Sequence, residues 1–129
     1  MRRPTGYPCG FMNKANESWA VATRDQTVVL LVIPGALGKT RRFQVDAQLL
    51  ARIPEGASAS ELGMSLEIDG ARQWSRSAPS MLGGQTDSME YQCRLDIPPG
   101  RDTRLRARVS LRHCSLVSLS LTAVEEPSA

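Results

Sequence analysis

Four arginines alternate with aliphatic residues in a short segment near the C-terminal end of the chain: Arg104, Arg106, Arg108 and Arg112. A guanidinium group is planar and donates two parallel hydrogen bonds to a carboxylate or a phosphate. If residues 98–102 close a symmetric hairpin, only Arg104 gains a carboxylate opposite it, that of Asp96. The row therefore predicts either a surface for acidic or hydroxyl-rich ligands or a solvated sheet face whose charges discourage aggregation.

Trp74 is the second candidate, because its sequence neighbours are polar. An exposed indole beside side chains that form hydrogen bonds can stack on a sugar ring. Burial in the core is the alternative for Trp74 and for Trp19, the other tryptophan. The predicted ligand-binding residues are Arg72, Gln73, Trp74, Arg76, Arg104, Arg106 and Arg108.

The segment from Gly35 to Thr40 has features of a phosphate-binding loop, since it follows an apolar strand and ends in Gly-Lys-Thr. Such a loop needs four residues between its glycines, so that successive backbone N–H groups can surround the phosphates. Gly35 and Gly38 have only two residues between them. The spacing, and the strand pattern that follows, favour a tight turn.

An enzyme is the weakest hypothesis. His113 is the only histidine, and its neighbour Cys114 would point away from it on an extended chain. No Gly-x-Ser-x-Gly elbow occurs, and one histidine with three dispersed cysteines forms no zinc set. The sequence thus predicts no catalytic residue, cofactor or metal, although Asp25, Asp69 or Asp87 could bind calcium without leaving a signature.

The cysteines Cys9, Cys93 and Cys114 are odd in number and have no paired short spacing, which argues against a disulfide framework. Cys93 falls on the apolar face of its strand, so a small buried hydrophobic residue is predicted there. A bridge from Cys93 to Cys114 would require a slipped strand register.

The composition is that of an ordinary globular domain. The 129 residues are 41% hydrophobic and 22% charged, which suffices for one domain with its own core and disfavours disorder. The net charge of +3 comes from sixteen Lys and Arg against thirteen Asp and Glu. So small an excess would not hold the whole molecule on nucleic acid, and only a local basic patch could bind such a partner.

No export or membrane segment is predicted. Pro4, Gly6 and Pro8 interrupt the N-terminal region where a signal peptide needs a continuous apolar run. The longest apolar run, residues 28–33, is far shorter than the roughly 20 residues that span a bilayer. The expected location is therefore cytoplasmic by default.

Residues 89–124 show the clearest strand pattern, with three successive alternating runs that predict a three-stranded antiparallel meander. Odd-numbered residues are apolar and are predicted to face the core. The even-numbered face would then combine the arginine row with hydroxyl groups from the last strand: Ser118, Ser120 and Thr122.

Five further strands are predicted upstream. They are residues 17–24, residues 27–33 as a strand buried on both faces or central in a sheet, residues 42–50, residues 62–68, and residues 71–77 after the hairpin pair Asp69-Gly70. Residues 57–61 could be a helical turn or a loop, and residues 79–88 are predicted to be a long polar loop.

Eight antiparallel strands in one domain predict an all-β, two-sheet antiparallel β-sandwich, most simply a jelly roll, with a barrel as the alternative. The sandwich is expected over residues 17–124. Residues 1–16 are expected to be an irregular leader, with Tyr7 and Phe11 held against the sandwich, and residues 125–129 a short tail.

The segment from Leu95 to Thr122 resembles the closing hairpins of jelly-roll carbohydrate-binding modules and galactose-binding-like domains. The likeness lies in Ile97-Pro98-Pro99-Gly100, in Leu105-Arg106 and in the last strand Ser118-Leu119-Ser120-Leu121-Thr122. Ile68-Asp69-Gly70 is a further, weaker similarity. It covers less than half of the chain, and its motifs are those of turns. The resemblance implies a non-catalytic binding β-sandwich.

Two functions from different classes follow. The first is a non-catalytic module that binds carbohydrate, with an acidic glycan as one candidate ligand, through Trp74 and its basic and polar neighbours. The alternative is a structural or assembly subunit that packs on another protein or forms a homo-oligomer.

Overall fold

The computed structural model describes residues 16–56 and 59–127. In this part of the chain there are eight β-strands: β1 Ser18–Thr23, β2 Val28–Ile33, β3 Arg41–Arg52, β4 Glu61–Ile68, β5 Ala71–Pro79, β6 Thr86–Ile97, β7 Thr103–Arg112 and β8 Ser115–Glu125. No helix long and apolar enough to cross a membrane occurs among these residues. The predictions for Tyr7, Cys9 and Phe11 lie outside the described residues.

The strands form two four-stranded antiparallel sheets that pack face to face. The first sheet has the order β1-β8-β3-β6, and the second has the order β2-β7-β4-β5. This connectivity is that of a jelly roll, in which strands alternate between two sheets through two interlocked Greek keys. The predicted all-β jelly-roll sandwich is confirmed, and the barrel alternative does not apply.

The meander predicted for residues 89–124 is wrong. Strand β6 pairs with β3, β7 pairs with β2 and β4, and β8 pairs with β1 and β3, so the three strands never pair with one another. Alternation fixes which side of a strand is buried but does not identify the neighbouring strand. The loops that follow β6 and β7 cross from one sheet to the other instead of closing hairpins.

The predicted parity of the core holds along β6, β7 and most of β8. Met89, Leu105 and Leu121 are among the buried residues, and Tyr91, Cys93 and Leu95 pack against the core from the edge. Val117 is the exception, at 39% exposed. Strand β8 pairs irregularly with β3 at this point, because Leu50 lies opposite Ser118 while Ala51 lies opposite Leu116. The extra residue turns Leu116 inward and Val117 outward.

Strand β2 was predicted to be buried on both faces or central in a sheet, and both alternatives are wrong. It is an edge strand of the second sheet, and its burial alternates. Val29, Leu31 and Ile33 belong to the core, whereas Val28, Leu30 and Val32 are 37%, 47% and 38% exposed. A run without polar residues conceals such alternation, because both faces are aliphatic.

The hairpin predicted at Asp69-Gly70 is confirmed and is the only direct β-hairpin among the described strands, joining β4 to β5. Both turn residues have positive φ, 50° for Asp69 and 84° for Gly70, as a type I′ turn requires. Residues 42–50 form part of β3, as the strand pattern predicted. The predicted loop at residues 79–88 is shorter than expected, because β5 reaches Pro79 and β6 begins at Thr86.

Candidate functional site

The arginine row lies on the outer surface of the second sheet. Its exposed side chains come from β7 and are joined by Arg72 of β5. Glu67 of β4 lies between Arg106 and Arg72 in the strand register. We call this surface the arginine face; its defining residues are Arg72, Arg104, Arg106 and Arg108.

The arginine face is under-neutralised. The only ion pair that its arginines form in the described part of the chain joins Arg106 Nη1 to Glu67 Oε1 at 3.6 Å. Both side chains retain solvent contact, so the pair contributes less than about 1 kcal/mol to stability. The remaining guanidinium groups can bind an external anion without first breaking an internal pair.

A shallow groove lies beside Arg108 on the same face and has a volume of about 310 Å³. We call it the serine trough. Gly63 of β4 lies between Ser110 of β7 and Ser77 of β5 in the strand register. The groove exists because Gly63 has no side chain to occupy the space between these two serines. The trough is lined by Gly63, Ser65, Ser75, Ser77, Arg108 and Ser110, together with parts of Met64, Arg76 and Val109. A row of hydroxyls beside a guanidinium provides hydrogen-bond donors and acceptors for a ligand that has both hydroxyl and acidic groups.

The serines of the trough were missed by the sequence reasoning. Ser110 has the same parity as Arg106 and Arg108, so its outward direction could have been predicted. Ser75 and Ser77 of β5 line the side of the trough opposite Ser110, because β4 lies between β7 and β5. This strand order is a result of the tertiary fold and could not be predicted from the sequence.

The predicted pairing of the arginines is wrong. Asp96 lies opposite Arg42, not Arg104, and accepts a hydrogen bond from Arg42 Nε at 2.9 Å. Arg104, Arg106 and Arg108 lie opposite Val32, Leu30 and Val28 of β2. The arginines thus have an aliphatic edge strand beside them on one side.

The hydroxyl residues Ser118, Ser120 and Thr122 were predicted to share the arginine surface, and this is also wrong. They belong to β8 in the first sheet, on the opposite side of the sandwich. Ser120 and Thr122 line a separate groove of about 230 Å³ with Asp46, Gln48, Glu90 and Gln92. This second groove contains carboxylates and amides but no arginine, so its charge is opposite to that of the arginine face.

The predicted ligand residues of β5 do not share one surface. Trp74 and Arg76 lie opposite the buried residues Leu66 and Met64, so they face inward, whereas Arg72 lies opposite Glu67 on the outer side. Gln73 is the extra residue where the β4–β5 register shifts. Sugar stacking on Trp74 remains a prediction, but Trp74 and the arginine face lie on different sides of the second sheet.

Trp74 is half-buried and lies over Tyr91 of β6. Arg76 lines a polar cleft of about 380 Å³ between β5 and β6, whose other wall includes Asp87 and Glu90. This cleft opens at the side of the sandwich, so Arg76 is also separated from the outward-facing arginines.

The remaining sequence candidates lie in turns. Residues Pro34 to Thr40 join β2 to β3 across the sheets, and Gly35 leaves no space for a side chain because the backbone of Arg101 lies against it. The chain continues into a strand, as the tight-turn interpretation predicted.

His113 has a positive φ of 55° and is exposed in the turn between β7 and β8. The Cys114 thiol contacts the carbonyl oxygen of Glu61 at 3.5 Å. Cys93 and Cys114 are both free thiols, and burial raises the pKa of the Cys93 thiol above its ordinary value. Cys93 packs against the core as predicted, but it is half-buried rather than buried because β6 is an edge strand.

Asp25 and Asp69 lie in separate turns and Asp87 lies at the start of β6. They accept hydrogen bonds from Thr23 Oγ1, Arg104 N and Ser80 Oγ, respectively. No group of three or more metal-ligating side chains occurs within residues 16–56 and 59–127.

The fold and this surface define a jelly-roll β-sandwich with one basic, hydroxyl-lined outer face. No family model matches the chain, and no curated protein matches it. Among solved structures it is similar to dimeric latent PorU from Porphyromonas gingivalis, with a TM-score of 0.47 and 13% identity over 84% of this chain and 11% of that chain. The chain thus corresponds to a small part of PorU, and a likeness at this level supports no conclusion about function.

Proposed function

We propose that this protein is a non-catalytic binding module that recognises an acidic glycan on the arginine face. One sugar unit of the glycan would bind in the serine trough. The observation that supports the proposal is that Arg108 lines the same groove as four serines. A carboxylate or sulfate on the sugar would bind the guanidinium, while neighbouring ring hydroxyls would exchange hydrogen bonds with the serine hydroxyls.

The charge of the face supports an acidic ligand over a neutral one. Arg104, Arg106 and Arg108 follow one another along β7 at every second residue, and within the described residues Glu67 is the only carboxylate that forms an ion pair with any of them. A repeating acidic polymer lying along the strand would meet successive guanidinium groups about 7 Å apart. Sugar specificity would come from the serines, because they form hydrogen bonds of fixed direction.

Binding to an array of uronate-containing, sulfated, sialylated and neutral glycans tests the proposal directly. We expect acidic glycans to bind and neutral ones to bind more weakly or not at all, with an affinity that falls as salt is raised from about 50 to 300 mM because exposed charges are screened. Arg108→Ala should weaken binding by roughly tenfold or more, as loss of a charged hydrogen bond implies.

The matched control is Arg24→Ala, which removes an exposed arginine from the turn between β1 and β2 and should leave the affinity unchanged. The absence of any acidic glycan among the binders would refute the proposal. It would also fail if Arg108→Ala and Arg24→Ala had the same effect on a glycan that binds.

A further inference from the structure

The free edge of strand β2 differs from the other three sheet edges. Exposed strand edges are normally protected by charges, proline or bulges, because their unpaired N–H and C=O groups can pair with another chain. Strand β6 has Asp87, Glu90 and Arg94, and β5 has Arg72, a register shift and Pro79. Strand β1 has the same length as β2, but its exposed residues are the small Ser18, Ala20 and Ala22. Strand β2 reads VVLLVI and has none of these protections.

The hydrogen-bond pattern shows which backbone groups of β2 are available. Val109 N donates to Thr27 O at 2.8 Å. In an antiparallel ladder the bonded pairs alternate, so Val29, Leu31 and Ile33 bond to β7. The N–H and C=O groups of Val28, Leu30 and Val32 therefore point away from β7, towards an edge where no other strand lies within the described residues. The same three residues have the exposed aliphatic side chains.

From this arrangement we propose that β2 is a self-association edge, at which two copies of the chain pair antiparallel about a two-fold axis through Leu30. In this register Leu30 pairs with Leu30 of the second copy, and Val28 pairs with Val32. Every outward N–H and C=O of the three residues then has a partner, and the two rows of exposed aliphatic side chains become neighbours across the new strand pair. A two-fold interface needs such a self-complementary pattern.

The charge distribution favours a second copy at this edge over face-to-face packing. Packing two arginine faces together would place like charges in contact. Pairing through β2 keeps the two arginine rows three strand spacings apart, about 14 Å, which exceeds the Debye length of about 8 Å at physiological salt. Arg106, which lies beside Leu30 at the centre, already has Glu67 as a counter-ion at 3.6 Å.

The paired sheet would have eight strands, and the two arginine faces would form one continuous surface. A single six-residue strand pair covers less surface than the roughly 1,200 Å² of a typical stable interface. We therefore expect reversible association that is visible only at high protein concentration. Strand β2 would then be the contact surface of the homo-oligomer predicted from the sequence. Association through β2 does not depend on glycan binding.

Sedimentation velocity from about 10 μM to about 1 mM, a range that reveals weak complexes, tests the proposal. The wild-type chain should shift from monomer towards dimer as concentration rises. Leu30→Pro removes one outward N–H without removing a bond to β7, and it should remain monomeric throughout.

Gln92→Pro is the matched control. Gln92 is exposed on the edge strand β6, where Ile53 N bonds to Gln85 O and the alternation leaves the N–H of Gln92 pointing outward. This variant should associate as the wild type does. Far-UV circular dichroism checks that both proline variants are folded. If Leu30→Pro does not fold, Leu30→Lys, which places like charges at the two-fold axis, should weaken association at least tenfold.

A wild-type chain that is monomeric at the highest concentration would overturn the proposal. So would a folded Leu30 variant that associates like the wild type, or equal loss of association in the Leu30 and Gln92 variants. The glycan proposal is tested separately, because Arg108→Ala should leave self-association unchanged and Leu30→Pro should leave the glycan affinity of the monomer unchanged.

Discussion

The indole of Trp74 is stacked on the phenol ring of Tyr91, with ring centroids 4.4 Å apart and planes inclined by 10°. The two residues belong to β5 and β6, which are edge strands of different sheets. Their contact therefore closes one side of the sandwich, where no backbone hydrogen bonds join β5 to β6 in the part of the chain that the structure describes. It also covers one face of the indole, which leaves only the opposite face for any ligand.

Replacement of Trp74 by alanine should lower the free energy of unfolding by about 2 kcal/mol, less than for a fully buried aromatic residue because Trp74 is half-exposed. Urea denaturation of Trp74→Ala, Tyr91→Ala and the double variant would give a coupling energy of about 0.5–1.5 kcal/mol for the stacked pair. Additive single effects would show that the stack contributes nothing beyond burial.

Gly63→Ala is expected to narrow the serine trough without disrupting the fold. A Cβ at this position would lie 3.4 Å from Ser110 O, at the near limit of ordinary contact, and Gly63 does not have a positive φ. Stability should be unchanged or should rise by up to about 1 kcal/mol, because the unfolded chain loses freedom. Glycan affinity should fall, as measured by calorimetry. In Gly83→Ala, a glycine change in the loop before β6, the affinity should be retained; equal affinities of the two variants would place the ligand elsewhere.

Arg41 is the buried cation of this sandwich. Its side chain is 4% exposed, its Nη1 lies 2.7 Å from Glu17 Oε1, and its Nη2 donates to Pro34 O. Its guanidinium also lies 5.2 Å from the centre of the Phe43 ring. Arg41→Ala should lower the free energy of unfolding by about 2–3 kcal/mol, below the usual cost of breaking a buried pair because Glu17 is partly solvated. Arg42→Ala, one residue further on, should have little effect; similar losses in both would contradict this account.

The pair formed by Arg42 and Asp96 predicts a specific pH dependence. The hydrogen bond from Arg42, supported by its positive charge, holds the pKa of the Asp96 carboxyl below its ordinary value. The folded state therefore favours the ionised carboxylate, so the stabilisation is present above the unfolded-state pKa and is lost as pH falls through the lower folded-state value. NMR titration should show the pKa of Asp96 rising in Arg42→Ala. An unchanged pKa would mean that the pair does not persist in solution.

The local pattern of the chain was sufficient to predict most of the strands and the side of each that is buried. Leu105, Ala107 and Val109 alternate with arginines, and water can be excluded from only one of these two rows. Asp69-Gly70 likewise predicted its hairpin, because both positions need positive φ and tolerate it. The outward direction of Arg104, Arg106 and Arg108 followed from the same parity.

Apart from the β4–β5 hairpin, the tertiary structure alone determined which strands are neighbours. The same alternating strand can pair with any other of similar length, and the energetic difference lies in how whole faces pack and how loops cross the sandwich. This is why Asp96 came to lie beside Arg42 rather than Arg104. It is also why Ser110 was joined by Ser75 and Ser77 to make the trough, and why an apparently buried β2 became an exposed edge.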